Sequence, residues 1–253
     1  RKVLSNPIFS SSEREQWSIE VGQETYTPTL VKETDIAEFD RPYAGYLGAK
    51  VGWTLSRKRT HLNTILSLGV AGPASGAGAF QQWYHRAIVT TAESPTWIAE
   101  IENGFHVNLY LQYAYEWKLS ENPFSVHIVI HPEVAFGTRD SYVQPEILFH
   151  LGRRNALSNS IAYEQVGSMD KELFMTVGVQ YRAVFYDSLL EGHPFKDNSP
   201  FTVTPEKEIV QLRFGLSHRF ERNDYTFFYH FTTKASALQT SHSYLSLAYA
   251  RTF

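Results

Sequence analysis

The sequence predicts an all-β protein, a transmembrane antiparallel barrel of about twelve strands with a short helical insertion at residues 75–103. Apolar and polar residues alternate through most of the chain, the pattern of strands with one apolar and one polar face. Several alternating stretches, such as 105–117, are longer than the roughly 5–6 residues usual in soluble strands. The polar positions carry His, Gln, Arg and Glu along their full length, which suits a wet lumen. A soluble β-sandwich or lipocalin-like barrel is the alternative that strand length disfavours.

The composition excludes several classes of protein. Hydrophobic residues make up 43% and aromatic residues 15% of the 253, too many for a disordered chain. Cysteine is absent, which excludes a disulfide scaffold and a cysteine-ligated metal site. The formal net charge of -3 gives no basic surplus for nucleic acid. No uncharged apolar run approaches the roughly 18 residues of a membrane-spanning helix, whereas a barrel strand needs only about ten alternating residues.

About ten strands are visible in the alternation. Residues 105–117 illustrate it, with aromatic and aliphatic side chains at the odd positions and mainly polar ones at the even positions. The chain ends on Phe253 behind an alternating apolar series, which resembles the C-terminal strand signal of bacterial outer-membrane proteins. The predicted strands are 15–27, 42–56, 61–71, 105–117, 124–136, 141–152, 171–186, 210–220, 225–231 and 242–253.

The connections differ in length. Tight turns are predicted at 122–123, 138–140 and 223–224, and longer polar connections at 28–41, 153–168 and 187–206. Tight turns at one end and long loops at the other are typical of outer-membrane barrels. No linker or repeat divides the chain, so residues 1–253 are expected to form one domain.

Residues 72–103 break the alternation. Phe80, Trp83, Tyr84, Ala87 and Ile88 recur at helical spacing. Gln81 and His85 are four residues apart, which places them together on a flank of that stripe. A second helical piece is predicted over 97–103. A helix between two barrel strands is expected to lie across an end or to plug the lumen. His85 is then either a site residue or simply a polar residue on the flank.

Five motifs, in order, are similar to those of the outer-membrane lipid A 3′-O-deacylase family. Residues 40–47 read Asp-Arg-Pro-Tyr-Ala-Gly-Tyr-Leu. A Tyr-Thr-Pro turn precedes this run within 22–28, and Gly-Val-Ala-Gly-Pro follows it at 69–73. Next come Gln81-x-x-x-His85 and Trp97-x-x-x-Ile101. The resemblance is good over 15–105 and looser over the rest of the chain.

The resemblance implies a monomeric barrel of about twelve strands in the bacterial outer membrane. Its activity is hydrolysis of the 3′ acyloxyacyl ester of lipid A, the lipid of lipopolysaccharide, at a calcium-dependent site near the extracellular rim. By motif position, His85 is the general base acting on water and Gln81 is the helical glutamine of the site. Glu93 is the nearest candidate for the family's acidic residue, and hence for a metal ligand. The residues expected to bind substrate are Arg41, Tyr43 and Arg86, of which either arginine could meet a lipid A phosphate.

The sequence also departs from the family. The family's first strand carries an Asn-Asp pair that is not visible before Arg1. The expectation is therefore that this sequence lacks the N-terminal hairpin and begins inside the second strand, with Val3 and Leu4 at its end. The alternative function is a non-catalytic outer-membrane barrel, either an inactive relative or a small pore. A serine lipase is disfavoured because the chain has no Gly-x-Ser-x-Gly elbow.

Overall fold

The chain folds as one antiparallel β-sheet that forms the barrel wall. The structure, a computed structural model, describes residues 13–89 and 94–253 and the backbone of residues 2–6. The helices are α1, Ala77–Ala87, and α2, Ser188–Glu191. The strands are β1 Lys2–Asn6, β2 Arg14–Tyr26, β3 Ala44–Ser56, β4 Thr60–Ala71, β5 Gly104–Lys118, β6 Ser125–Ile130, β7 Glu133–Gly137, β8 Asp140–Gln144, β9 Glu146–Arg153, β10 Glu172–Asp187, β11 Glu208–Phe220, β12 Asn223–Thr232 and β13 His242–Arg251.

Two of the strands predicted as continuous are interrupted. Pro132 separates β6 from β7, and Pro145 separates β8 from β9, since proline has no N–H to donate to a ladder. Both proline carbonyls still accept, from Tyr113 N and Tyr181 N at 3.0 and 3.1 Å. The two interruptions reduce the thirteen segments to eleven continuous strands, which pair in chain order from β1 to β13. The ten predicted strands are confirmed, and β1 lies at Val3 and Leu4, where the end of a preceding strand was predicted.

The wall has two chemically opposite faces. In β5, Phe105 and Val107 are exposed on the outside, whereas His106, Asn108 and Tyr110 are buried in the lumen. The same alternation continues around the barrel, so the apolar side chains face outward and the interior is polar. This inversion of a soluble protein is the arrangement expected of a barrel in lipid. No helix in the described ranges is long and apolar enough to cross a membrane.

The predicted separation of tight turns from long loops is wrong for two connections. The tight turn after β7 lies at the long-loop end, where Thr138 N donates to the Val107 carbonyl near the start of β5 at 3.0 Å. Residues 154–171 follow β9 and lie at the end of the barrel that also carries the tight turns at 57–59 and 119–124. They form two 3-10 turns whose Leu157, Ile161 and Tyr163 are buried in the lumen. We call residues 154–171 the plug. The predicted turn at 223–224 also shifts, to 221–222, where Glu221 has a positive φ of 54°.

Buried ion pairs hold the plug in the lumen. Arg154 of the plug pairs with Glu116 of β5 at 2.5 Å, and Tyr163 donates to the same carboxylate at 2.9 Å. Arg219 of β11 donates to the carbonyl oxygens of Asn159 and Gln165 at 2.7 and 2.5 Å. These bonds cross the lumen from two strands, so the plug obstructs the barrel at this end. An open pore is therefore disfavoured, by the plug rather than by the predicted helix.

Candidate functional site at the outer wall

Helix α1 lies against the outside of the barrel wall. In β3 the odd-numbered residues Leu47 and Val51 face outward, and Gly45 belongs to the same row. A Cβ on Gly45 would fall 2.1 Å from Ser75 Oγ and 2.6 Å from Ala77 Cβ, so the start of α1 rests directly on this glycine. On β2, outward-facing Gln23 donates from Nε2 to the Ser75 carbonyl at 2.7 Å. The expectation that the helix lies across an end or plugs the lumen is therefore wrong.

The apolar stripe of α1 is exposed rather than buried. The helix begins after Gly76, which has a left-handed φ of 70°, and ends with His85 and Arg86 in its last turn, where cations suit the helix dipole. Its apolar side chains stay between two fifths and three fifths exposed: Phe80 53%, Trp83 51%, Tyr84 39% and Ile88 57%. The row continues the exposed apolar face of the wall. In a membrane protein such a helix presents this face to lipid.

Gln81 and His85 lie together on the half-buried flank of α1, as their spacing predicts. Trp97 Nε1 donates to Gln81 Oε1 at 2.9 Å, which orients the amide with its oxygen occupied and its NH₂ group free of that bond. The Nδ1 atom of His85 is buried and has no hydrogen-bond partner within the described part of the chain. The pair therefore offers one imidazole and one oriented amide donor on the same helix face.

The segment after α1 is not the predicted second helix. Trp97 and Ala99 have positive φ values of 56° and 54°, which a helix does not allow, and Glu100 instead forms a bridge with Tyr43 beside β3. The ring of Trp97 packs 5.1 Å from that of Tyr43. A Cβ on Gly78 would lie 2.9 Å from Trp97 Cδ2. Trp97 is thus fixed between the helix and the wall, which in turn fixes the amide of Gln81.

Glu100 is a site residue that the sequence reasoning passed over. Its Oε1 is buried without a partner in the described structure, and burial raises the pKa of its carboxyl to about 7, against a smaller lowering by the Gly45 amide. The available signal was a carboxylate inside the Trp97-x-x-x-Ile101 motif. Glu100 lies at the base of the α1 surface, beside the glycine on which the helix rests.

The predicted substrate-binding residues do not lie together. Tyr43 is fully buried, and its hydroxyl donates to the Val31 carbonyl at 2.6 Å, so it supports the site from below. Arg41 points into the lumen, with its guanidinium 4.5 Å above the ring of Tyr26, on the other side of the wall from His85. Arg86 is exposed at the end of α1 and donates to the Gln82 carbonyl at 3.2 Å. Only Arg86 shares a surface with His85.

The described residues supply no ready calcium site. Glu93 lies outside them, and no group of three or more His, Cys, Asp or Glu side chains is arranged to hold a metal ion in the described ranges. Calcium prefers six to eight oxygen ligands, commonly several carboxylates. The calcium dependence therefore stays a prediction from the family resemblance.

Comparisons with known proteins identify the family. The sequence model of the family described as "Outer membrane protein LpxR" matches residues 1–253. The chain belongs to the LpxR family. The solved structure of LpxR from Salmonella typhimurium has a TM-score of 0.83 and 17% identity, over 99% of this chain and 87% of that one. The β domain of the Bordetella autotransporter BrkA has a TM-score of 0.52 and 10% identity, over 99% and 88%. No curated protein matches the sequence.

Membership of the LpxR family places this barrel in the bacterial outer membrane and confirms the predicted fold class and localisation. By the usual asymmetry of such barrels, the end with the long loops faces the cell exterior. In this LpxR family member, α1 follows β4 and therefore stands at that end, against the lipid-facing side of β2 and β3. An imidazole and an amide at the boundary between lipid and water can act on a polar bond of a membrane-embedded lipid.

Proposed function

We propose that the chain is a lipid A 3′-O-deacylase that hydrolyses the 3′ acyloxyacyl ester. The observation that carries the proposal is the position of His85 and Gln81 on a helix outside the barrel wall. A pore or a carrier would place its polar groups in the lumen, whereas a lipid-modifying enzyme needs them where the lipid lies. Membership of the LpxR family agrees with this activity.

In the proposed reaction, neutral His85 takes a proton from a water molecule as its oxygen attacks the ester carbonyl carbon. The carbonyl oxygen becomes negative in the tetrahedral intermediate. The Gln81 NH₂ group donates to this oxyanion, since its own oxygen is already bonded to Trp97. The bond between the former carbonyl carbon and the 3′ oxygen of the sugar then breaks, and the imidazolium returns its proton to this departing oxygen. The products are the free acyloxyacyl acid and the 3′-hydroxyl of lipid A.

The surroundings of α1 supply a reason for lipid access. Phe80, Trp83 and Ile88 are each more than half exposed, and the wall beside them continues with Val21 at 70% exposure. Acyl chains of the outer leaflet can pack against this surface without leaving the bilayer. Arg86, exposed beside His85, is the remaining candidate for a phosphate of the substrate.

The test is mass spectrometry of lipid A incubated with the full chain refolded in detergent micelles. We expect loss of the acyloxyacyl mass with the wild type, a rate lower by at least about 1,000-fold with His85→Ala, and one lower by about 100- to 1,000-fold with Gln81→Ala. His193→Ala is the matched control, because His193 lies at the same end of the barrel but packs against His106, with ring centroids 5.0 Å apart, on the lumen side of the wall. An EDTA arm tests the calcium dependence separately.

The outcomes distinguish the alternatives. Turnover that persists in His85→Ala would reject the histidine as the base while leaving the activity in place. No loss of mass in any arm, with calcium present, would favour the non-catalytic barrel. Equal losses in His85→Ala and His193→Ala would show that the assay reports folding rather than chemistry.

A further inference from the structure

A cavity lined by many polar side chains lies inside the barrel, on the opposite side of the wall from α1. Its volume is about 690 Å³, within the range of small-molecule sites. It is bounded by residues at the long-loop end of the lumen, including Arg41, Asp187, Leu189 and Ala235. The plug obstructs the other end of the barrel, so the long-loop end is the route by which a solute reaches this cavity.

Arg41 is the first of two arginines in this cavity that form no ion pair with a described carboxylate. Its Nε is buried with no hydrogen-bond partner, and it makes no ion pair within 4 Å among the described residues. The guanidinium carbon of Arg41 lies 4.5 Å from the centroid of the Tyr26 ring, over its face. Burial lowers the pKa of the Arg41 guanidinium, and the opposing effect of Asp187 is smaller. A buried guanidinium with open donors is costly unless an acceptor fills them.

The carboxylates around the cavity are already engaged. Asp140 pairs with Arg139, and Glu133 accepts from Gln112 at 2.5 Å and from the hydroxyl of Tyr142. The Asp187 carboxylate accepts from the Leu189 amide at 2.9 Å, capping α2.

A second arginine in the cavity also lacks a carboxylate partner in the described structure. Arg182 donates to the neutral Gln144 at 2.5 Å and stacks 4.2 Å above the Tyr142 ring. Two partly buried arginines thus face one cavity without an ion pair in the described structure, while its amides and tyrosines offer further hydrogen bonds. Guanidinium groups in such settings recognise carboxylate and phosphate oxygens.

We propose that the lumen cavity binds a small polar solute that carries a phosphate or carboxylate group, with Arg41 as its main anchor. The site is separate from the proposed ester hydrolysis, because the barrel wall stands between Arg41 and His85. Two sources share this chemistry: a free solute from outside the cell and the phosphorylated headgroup of an outer-leaflet lipid that folds over the rim.

The experiment is isothermal titration calorimetry of inorganic phosphate into the full chain in detergent micelles at low salt. We expect one saturable site in the wild type and affinity about tenfold weaker or worse in Arg41→Gln. Arg86→Gln is the matched control, since it removes an exposed arginine outside the wall, and it should bind phosphate like the wild type.

A second variant keeps the test informative if Arg41→Gln folds poorly. Ala235 lies beside Arg41, since the adjacent Ser236 donates to the Asp40 carbonyl at 3.2 Å. Ala235→Asp should supply an internal counter-ion and abolish phosphate binding while raising thermal stability. Competition by lipid A micelles would identify the headgroup as the source, and lack of competition the free solute. Absence of a saturable site, or equal phosphate affinity in the wild type and Arg41→Gln, would overturn the proposal.

Discussion

Replacing Gly45 by alanine tests whether α1 has to rest on the outer wall for activity. The added Cβ would lie 2.6 Å from Ala77 Cβ and 2.1 Å from Ser75 Oγ. The Ser75 hydroxyl can rotate away, but the Ala77 Cβ is fixed to the helix backbone. Since carbon atoms pack at about 3.5–4 Å, the start of the helix has to move outward by about 1 Å. Overpacking of this kind costs about 1–3 kcal/mol of stability.

The displacement is expected to reach the site because His85 lies on the same rigid helix, about two turns further on. A misplacement of about 1 Å in a catalytic group can lower the rate by about 100-fold. The assay is the initial rate of lipid A deacylation, with hydrogen exchange of the α1 amides as a readout independent of activity. Gly22→Ala is the control, because nothing lies within 4 Å of the Cβ it would add. A wild-type rate and unchanged exchange in Gly45→Ala would refute the reasoning.

Three further predictions follow from single contacts. Trp97→Phe removes the bond that orients Gln81 and should lower kcat about fivefold, with no further loss when combined with Gln81→Ala; additive losses would contradict the coupling. The pKa of Glu100, raised to about 7 from 4.5, means that stability falls as pH rises between these values; Glu100→Gln should therefore raise the melting temperature at pH 8 and leave it unchanged at pH 4. Glu116→Gln leaves a buried arginine unpaired and should cost about 3–5 kcal/mol in urea unfolding, against at most about 1 kcal/mol for Glu20→Gln at a half-exposed pair.

Most of the barrel could be predicted because a strand's two-residue period is local. The alternation in residues 105–117 predicts which side chains face the lumen and which face outward, and β5 has the predicted orientation. The two strand interruptions could also be predicted from the sequence, because Pro132 and Pro145 lie inside predicted strands. The position of the plug inside the lumen could not be predicted from a local pattern. Its polar residues look like an exposed loop until Glu116 and Arg219, which are distant in sequence, meet them in the lumen.

The site was only half predictable. The spacing of Gln81 and His85 gives a shared helix face, and that much agrees with the structure. The strand alternation also indicates on which side of the wall the helix lies, because Gly45 is on the same outward face of β3 as Leu47 and Val51. A glycine in a lipid-facing row leaves room for a second element, and this signal could have been used. The hydrogen bond from Trp97 to Gln81 depends on a backbone turn with positive φ, which no local sequence pattern predicts.

The two proposed sites lie on opposite sides of the barrel wall. Arg41 and Gly45 belong to one motif, yet Arg41 enters the lumen while Gly45 carries the helix outside. The plug obstructs the lumen at one end, which leaves the long-loop end as the route to Arg41. An anion that binds Arg41 therefore enters and leaves by the mouth beside which α1 stands. Because the wall separates Arg41 from His85, loss of phosphate binding in Arg41→Gln should leave the deacylation rate unchanged when the bound anion is a free solute.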